Sequence, residues 1–391
     1  MKDPRKTDLA GLSPADQPIP MRQQIAYAVS EIAVNPIYTI TLTFLTFFYT
    51  DVLGLNAALV GAIILVSKVF DGISDLWAGN LIDHTHTKAG SARPWILRSA
   101  VLLAISYVIL FTVPAGGNIC KAIYIFVSYN FAMTIAYTIT SCAINAMPVY
   151  MSNDSSSRAS AYSIRMIVAG VVQMIFSMVC LNIVDAFGGG QRGWILMSTV
   201  FATISLIVLL IMYFGTREYV TEVEQPTEEK LPFRVAIFAV LKNKYWFLVF
   251  GVVMVIVFHQ VATLTVGVYY AKYVLFDENL AGSLVTYHHL GAGVLAMPFI
   301  LSNNISKKKI VIGSAWLMLA GAALALINST GICLILSLAL CGCGFGLTNS
   351  LYYGMLADSV DYGEYKTRIR AAAVTTSAGS VGLKLGSGLG T

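Results

Sequence analysis

Two aspartates within an apolar stretch are the most informative residues of this chain. Asp71 and Asp75 lie four residues apart in a segment, roughly 57–82, that is long enough to cross a membrane. On a helix that turns about 100° per residue, both acids and Lys68 fall within an arc of about 60°. An ionised side chain in mid-membrane costs about 2.5–3.5 kcal/mol, and neighbouring carboxylates repel unless a cation lies between them. The pattern predicts a cation or proton site, and the alternative is a structural pairing with Lys68 or Lys384.

The composition sets the class of protein around this site. The chain has 391 residues, of which 57% are hydrophobic and 12% charged, whereas a soluble domain carries about 25% charged residues. We therefore expect a polytopic membrane protein in the lipid bilayer, with a polar N-terminal tail and no cleavable signal peptide. The membrane acids lack a nearby histidine or a catalytic nucleophile arrangement, so we expect no enzyme, no cofactor and no nucleic-acid partner.

Eleven apolar segments predict an all-α integral membrane fold. A helix needs about 20 apolar residues to cross the bilayer, and the candidate spans are 24–50, 57–82, 95–114, 120–148, 160–186, 194–214, 245–272, 280–302, 310–328, 331–357 and 371–391. A polar stretch separates the sixth span from the seventh. We accordingly predict an N-terminal six-helix bundle (1–214), a cytoplasmic central loop (215–242) and a C-terminal bundle (243–391).

Basic residues indicate how the chain is oriented. They concentrate in the N-terminal tail and in every second loop, which places the N-terminus in the cytoplasm of a multi-pass plasma-membrane protein. Six spans, a cytoplasmic loop and a second group of spans form the layout of the major facilitator fold, which has two helical bundles of six. Here the chain ends at Thr391, and against that layout we expect 6 + 5 spans with the twelfth helix missing.

Four sequence segments together resemble one family of carriers. They are Phe-Tyr-Thr-Asp-Val-Leu-Gly-Leu at 48–55, Lys-Val-Phe-Asp-Gly-Ile-Ser-Asp at 68–75 with the stretch 82–97, Tyr-Thr-Ile at 137–139, and Ala-Asp-Ser-Val-Asp-Tyr-Gly-Glu-Tyr-Lys at 357–366 followed by Lys384. The chain resembles the glycoside–pentoside–hexuronide cation symporters, the family of the melibiose and lactose carriers. This resemblance implies a secondary active transporter that couples sugar to a monovalent cation by alternating access.

The resemblance also implies which residues bind. The family's cation ligands correspond to Asp71, Ser74, Asp75 and Thr138, with Na⁺, Li⁺ or H⁺ as the coupling ion. Asn35, Ser141 and Asn145 stand where the melibiose branch has two sugar-binding aspartates and a stacking tryptophan. The candidate substrate residues are Glu31, Asn35, Tyr137, Ser141, Asn145, Arg165 and Lys384. For the asparagines and Ser141, the alternative is hydrogen bonding between helices. For Lys384, it is an extended terminal lysine that reaches the interface.

Charged residues near the cytoplasmic helix ends resemble gating ion pairs between the two halves in the family. They are Asp83, Lys88, Arg93, Asp358, Asp361 and Glu364. The histidine pairs at 84/86 and 288/289 have no further ligands at suitable spacing, so we expect no metal beyond the coupling cation. The alternative function is a truncated carrier that does not transport and acts as a sugar sensor or is an inactive fragment.

Overall fold

The structure, a computed structural model, describes residues 13–85, 87–220, 238, 240–296, 306–327, 330–367 and 372–391. Thirteen α-helices account for nearly all of these residues. In chain order they are α1 (Met21–Ala28), α2 (Ser30–Phe47), α3 (Ala57–Asp83), α4 (Arg93–Phe111), α5 (Asn118–Tyr129), α6 (Thr138–Met151), α7 (Ser155–Ala186), α8 (Gly190–Gly215), α9 (Lys244–Tyr273), α10 (Leu280–Leu290), α11 (Lys307–Ile327), α12 (Gly331–Thr367) and α13 (Ala372–Gly390).

The predicted all-α membrane architecture is confirmed for the described part of the chain. Nine helical stretches there are long and apolar enough to cross a membrane. They correspond to nine of the eleven predicted spans. Of the other two, 280–302 begins as α10 and continues beyond the described residues, and 371–391 coincides with α13. The division into six and five spans remains a prediction.

Three helices are extended by π-helical turns, at Phe48–Val52, Asn130–Tyr137 and Gly291–Leu295. A π-helical turn inserts an extra residue into the helical repeat and changes which side chains share a face. The second of these segments joins α5 to α6 and lies against α3, where the two aspartates are. It therefore decides which polar side chains of the fourth predicted span reach the acids.

Short polar residues begin several helices. Asn56 accepts backbone N–H groups at the start of α3, Asp154 does so for α7, and Asn243 does so for α9. Such caps satisfy N–H groups that have no partner within the helix. The start of α4 is capped from far away, because the Glu218 carboxylate accepts the backbone N–H groups of 91–93 at 2.7, 3.0 and 2.7 Å. Glu218 lies in the predicted central loop, and its contacts attach this part of the loop to the first half.

In the part of the chain that the structure describes, the most extensive contacts between the first half (α1–α8) and the second (α9–α13) involve three pairs of helices. α3 packs against α13, where a side chain at Gly388 would meet Leu65 and Lys68. α7 packs against α10, where Thr286 donates to the Met174 carbonyl at 3.3 Å. α2 and its π-helical extension approach the end of α9. These contacts lie from mid-depth toward the end of the molecule where α2, α7, α9 and α13 finish.

Candidate functional site

The two aspartates of α3 lie in a polar cluster, the acid cluster, made of Lys68, Asp71, Asp75, Thr134 and Lys384. Lys68 Nζ is 3.2 Å from Asp71 Oδ2, and both side chains are more than nine-tenths buried. Thr134, in the π-helical segment of the neighbouring span, donates its hydroxyl to the other oxygen of Asp71. Asp71 is therefore held on both oxygens, by an ammonium on its own helix and by a hydroxyl from the next.

Lys384 reaches this cluster from the second half of the molecule. Its Nζ is 2.6 Å from Asp75 Oδ2 and also donates to the backbone carbonyl of Asp71. The ammonium lies at the seam between α3 and α13 rather than at a membrane surface, although only seven residues follow Lys384. The two aspartates are thus balanced by two lysines, one from each half.

The predicted cation ligands converge only in part. The Ser74 hydroxyl donates to the Asp71 carbonyl at 3.0 Å, and the Thr138 hydroxyl donates to the Met133 carbonyl at 3.2 Å. Thr134 takes the place beside the carboxylate that sequence reasoning gave to Thr138. The π-helical turn explains the difference, because it rotates the residues beyond it relative to an uninterrupted α-helix.

A second polar cluster, the arginine cluster, lies within the first half and consists of Tyr27, Glu31, Asn35, Asn145 and Arg165. Arg165 Nε donates to Glu31 Oε1, and its Nη1 donates to the Tyr27 hydroxyl at 3.0 Å and to Asn145 Oδ1 at 2.6 Å. Asn35 donates to Glu31 Oε2 and to the Ala169 carbonyl, both at 3.3 Å. α1, α2, α6 and α7 together position this cluster.

Tyrosine rings border the arginine cluster. The rings of Tyr38 and Tyr137 stack with centroids 5.6 Å apart and an interplanar angle of 23°. Tyr38 follows Glu31 and Asn35 on one face of α2, since positions 31, 35 and 38 are separated by about one and two helical turns. Asn145 is exposed and its amide lies 3.5 Å from the Ser141 hydroxyl, so polar groups and a partly exposed aromatic surface lie side by side.

Several residues of these clusters were missed by sequence reasoning. Thr134 and Asn130 escaped notice because polar residues are common in membrane helices and only the π-helical register singles them out. The Asn130 amide oxygen lies 3.1 Å from the Thr134 hydroxyl oxygen, and the Asn130 amide donates to Ser67 at 2.8 Å, so Asn130 lies beside the hydroxyl that Asp71 accepts. Tyr38 could have been found from its position on the face of Glu31 and Asn35.

Two of the predicted gating residues, Arg93 and Asp358, contact their own halves in this structure. Arg93 donates to the Tyr213 carbonyl at 2.9 Å within the first half, and Asp358 pairs with Lys307 at 2.7 Å within the second. Lys88 is exposed beside the Thr87–Gly90 bridge. Asp361 and Glu364 lie near the end of α12, and the side chain of Asp83 lies outside the described part.

Charged contacts between the halves are found at the opposite end. Asp51 pairs with Lys272 at 3.0 Å and accepts the Tyr273 hydroxyl at 2.5 Å. The hydroxyls of Thr50 and Tyr269 are 2.8 Å apart. Asp51, in the Phe-Tyr-Thr-Asp segment, thus belongs to a cross-half network that sequence reasoning did not assign.

Comparison with known proteins places these observations in context. Residues 26–391 match the family model described as MFS/sugar transport protein. The chain is 30% identical over 400 residues to the isoprimeverose transporter of Lactiplantibacillus pentosus, covering 97% of this chain and 81% of that protein. It is 29% identical to the uncharacterized symporter YnaJ of Bacillus subtilis strain 168, with coverage of 95% and 81%. The crystal structure of the nucleoside transporter NupG superposes with a TM-score of 0.69 at 19% identity, covering 95% and 89% of the two chains, which shows a shared fold.

Proposed function

Because the chain belongs to the MFS/sugar transport protein family, and is a multi-pass membrane transporter rather than an enzyme, we propose that it carries out cation-coupled sugar or glycoside symport. The coupling ion is Na⁺, Li⁺ or H⁺, and the sugar binds between the two halves. No part of this proposal requires a cofactor. The distribution of basic residues supports placing the N-terminus in the cytoplasm of the plasma membrane.

The observation that carries the proposal is the Lys384–Asp75 pair in the acid cluster. It joins α13 of the second half to α3 of the first at 2.6 Å, where two carboxylates lie one turn apart. A cation or proton that binds there replaces the Lys384 ammonium as the counter-charge of Asp75. Ion binding therefore changes a contact between the halves, which is the physical requirement for coupling an ion to their rocking motion.

The arginine cluster with its tyrosines supplies the sugar-binding side of the proposal. Asn145, Tyr137 and Ser141 offer donors and acceptors beside an aromatic surface, the combination that sugar hydroxyls and the apolar sugar face require. By linkage, an ion that favours the sugar-binding state raises sugar affinity, and sugar raises ion affinity by the same factor.

The contacts between the halves suggest which state the structure represents. The cross-half contacts at Asp51 and along α7–α10 lie toward the end that the orientation assigns to the outside, while Arg93 and Asp358 at the cytoplasmic end have partners in their own halves. We infer an inward-facing state. Exposing the site to the outside requires the Asp51–Lys272 pair to separate.

Uptake by inside-out and right-side-out vesicles tests the proposal. A panel of labelled sugars, with isoprimeverose first and pentoses, glycosides and hexuronides after it, is offered with imposed gradients of Na⁺, Li⁺ or H⁺. We expect at least one sugar to accumulate against its gradient only when one of the ions is driven inward. Equal accumulation without any ion gradient, or no accumulation of any sugar, contradicts the proposal.

A further inference from the structure

We propose that Glu31 restricts this transporter to neutral sugars by occupying Arg165, the basic group of the arginine cluster. The inference rests on the proposed sugar transport and concerns the charge of the substrate. The carriers that the chain resembles are named for both glycosides and hexuronides, so that resemblance leaves the charge open. An acidic sugar needs a positively charged partner when it leaves water, and arginine is the side chain best suited to grip a carboxylate with two parallel hydrogen bonds.

Three of the five guanidinium N–H groups of Arg165 already donate to groups of the protein. Nε donates to Glu31, and Nη1 donates to both Tyr27 and Asn145. The side chains of Glu31 and Arg165 are 6% and 7% exposed. A sugar carboxylate that approached this arginine would meet the negative charge of Glu31 at short range in a poorly hydrated site, where like charges repel strongly.

Glu31 is also fixed in place and cannot swing aside at low cost. Its second oxygen accepts from Asn35 at 3.3 Å, and the Asn35 oxygen in turn accepts from the Thr39 hydroxyl at 2.9 Å. Asn35 additionally donates to the Ala169 carbonyl on α7. A carboxylate held on both oxygens is a permanent counter-charge of Arg165.

Two further basic groups at the centre of the molecule are paired with carboxylates in this structure. Lys68 pairs with Asp71 at 3.2 Å and Lys384 pairs with Asp75 at 2.6 Å. If a coupling cation enters between the aspartates, the added positive charge falls in the acid cluster and not on Arg165. A neutral sugar, in contrast, needs only the exposed Asn145 and its polar neighbours, and it leaves every ion pair intact.

Two glycosides test the inference because they differ only at C6, where one has a hydroxymethyl group and the other a carboxylate. Phenyl β-D-glucoside and phenyl β-D-glucuronide are used as competitors of the labelled sugar that the vesicle panel identifies. The wild type should be inhibited by the glucoside and much less by the glucuronide. Glu31→Gln keeps a side chain of the same shape but removes the charge, and it should raise inhibition by the glucuronide relative to the glucoside about tenfold or more, the effect of one charge-assisted hydrogen bond.

Two control variants separate this effect from a general change of charge. Glu31→Asp keeps the negative charge and should keep the wild-type preference. Glu278→Gln removes an acid from a pair with Lys272, 3.1 Å away at the other end of the molecule, and should also leave the preference unchanged. A shift of preference in Glu278→Gln equal to that in Glu31→Gln would show that net charge, not the Glu31–Arg165 pair, is responsible.

The outcomes distinguish this inference from the proposed function. Accumulation of a hexuronide by the wild type, or equal inhibition by both competitors, overturns the inference and leaves sugar transport standing. A Glu31→Gln variant that transports the labelled sugar with unchanged preference also overturns it. If that variant fails to reach the membrane, the wild-type and Glu31→Asp preferences still decide. Absence of any sugar accumulation contradicts the proposed function and this inference with it.

Discussion

The acid cluster and the arginine cluster are built from the same kinds of groups but connect different bodies. In the acid cluster, Lys384 crosses from the second half to Asp75 in the first. In the arginine cluster, Glu31 and Arg165 both belong to the first half. A pair that joins two bodies is made or broken when they move, whereas a pair within one body persists. The comparison teaches that ion pairs of similar chemistry can serve different purposes, one in coupling and one in selection.

The largest expected difference between the clusters comes from the same chemical change, a carboxylate replaced by an amide, made in each of them. Asp75→Asn removes a carboxylate from the cross-half pair, so we expect accumulation of sugar to fall to the equilibrium level, because the ion has lost half of its site. Asp71→Asn should do the same. Glu31→Gln, an equivalent change in the other cluster, should retain ion-driven accumulation of a sugar that it still binds. Gradient-driven uptake in vesicles measures all three, and concentrative transport by both aspartate variants would refute the distinction.

The next effect concerns the stability of the cross-half pair. Removing one partner of a fully buried ion pair costs about 3–5 kcal/mol. Since the side chains of Lys384 and Asp75 are 19% and 39% exposed, we expect about 1–2 kcal/mol for Lys384→Met after allowing for solvent screening. Combining Lys384→Met with Asp75→Asn should recover part of this loss, because no charge is then left unpaired. Thermal unfolding in detergent compares the three variants, and a strictly additive double variant would contradict the pairing.

A smaller effect is expected for sugar affinity in the arginine cluster. Arg165→Gln removes charge-assisted hydrogen bonds to Tyr27 and Asn145, each worth about 1.5–3 kcal/mol. Arg165 affects sugar binding by positioning Asn145. We therefore expect KM to rise by about tenfold with the ion dependence unchanged. An altered ion dependence with an unaltered KM would place Arg165 on the coupling side of the comparison.

The smallest effect sharpens the composition of the acid cluster. Thr134 donates to Asp71, whereas the Thr138 hydroxyl donates to a backbone carbonyl. Thr134→Ala should raise the ion concentration for half-maximal uptake by about two- to tenfold, the effect of one hydrogen bond, and Thr138→Ala should change it less. The reverse order would mean that the ligand set implied by family resemblance applies in the ion-bound state.

Local patterns in the sequence predicted the helices and one face of the acid cluster. The helical repeat alone put Asp71 and Asp75 on one face, and apolar length located the membrane-crossing helices. Local periodicity could not predict the Glu31–Arg165 pair, because its partners are 134 residues apart and meet only through the packing of α2 on α7. The exchange of Thr134 for Thr138 depends on a π-helical turn, which has no simple sequence signal. The partners of Arg93 and Asp358 depend on which state the halves adopt, and one sequence encodes every state.

The Glu218 cap on α4 has a consequence for biosynthesis. Its carboxylate accepts backbone N–H groups that are 125–127 residues earlier in the chain, and Gly90 leaves it room, since a side chain there would meet the carboxylate. The loop before α4 therefore cannot reach its final form until the ribosome has made all of α8 and the residues after it. The contact needs no residue of α9 to α13, so the first half can complete it independently of the second half.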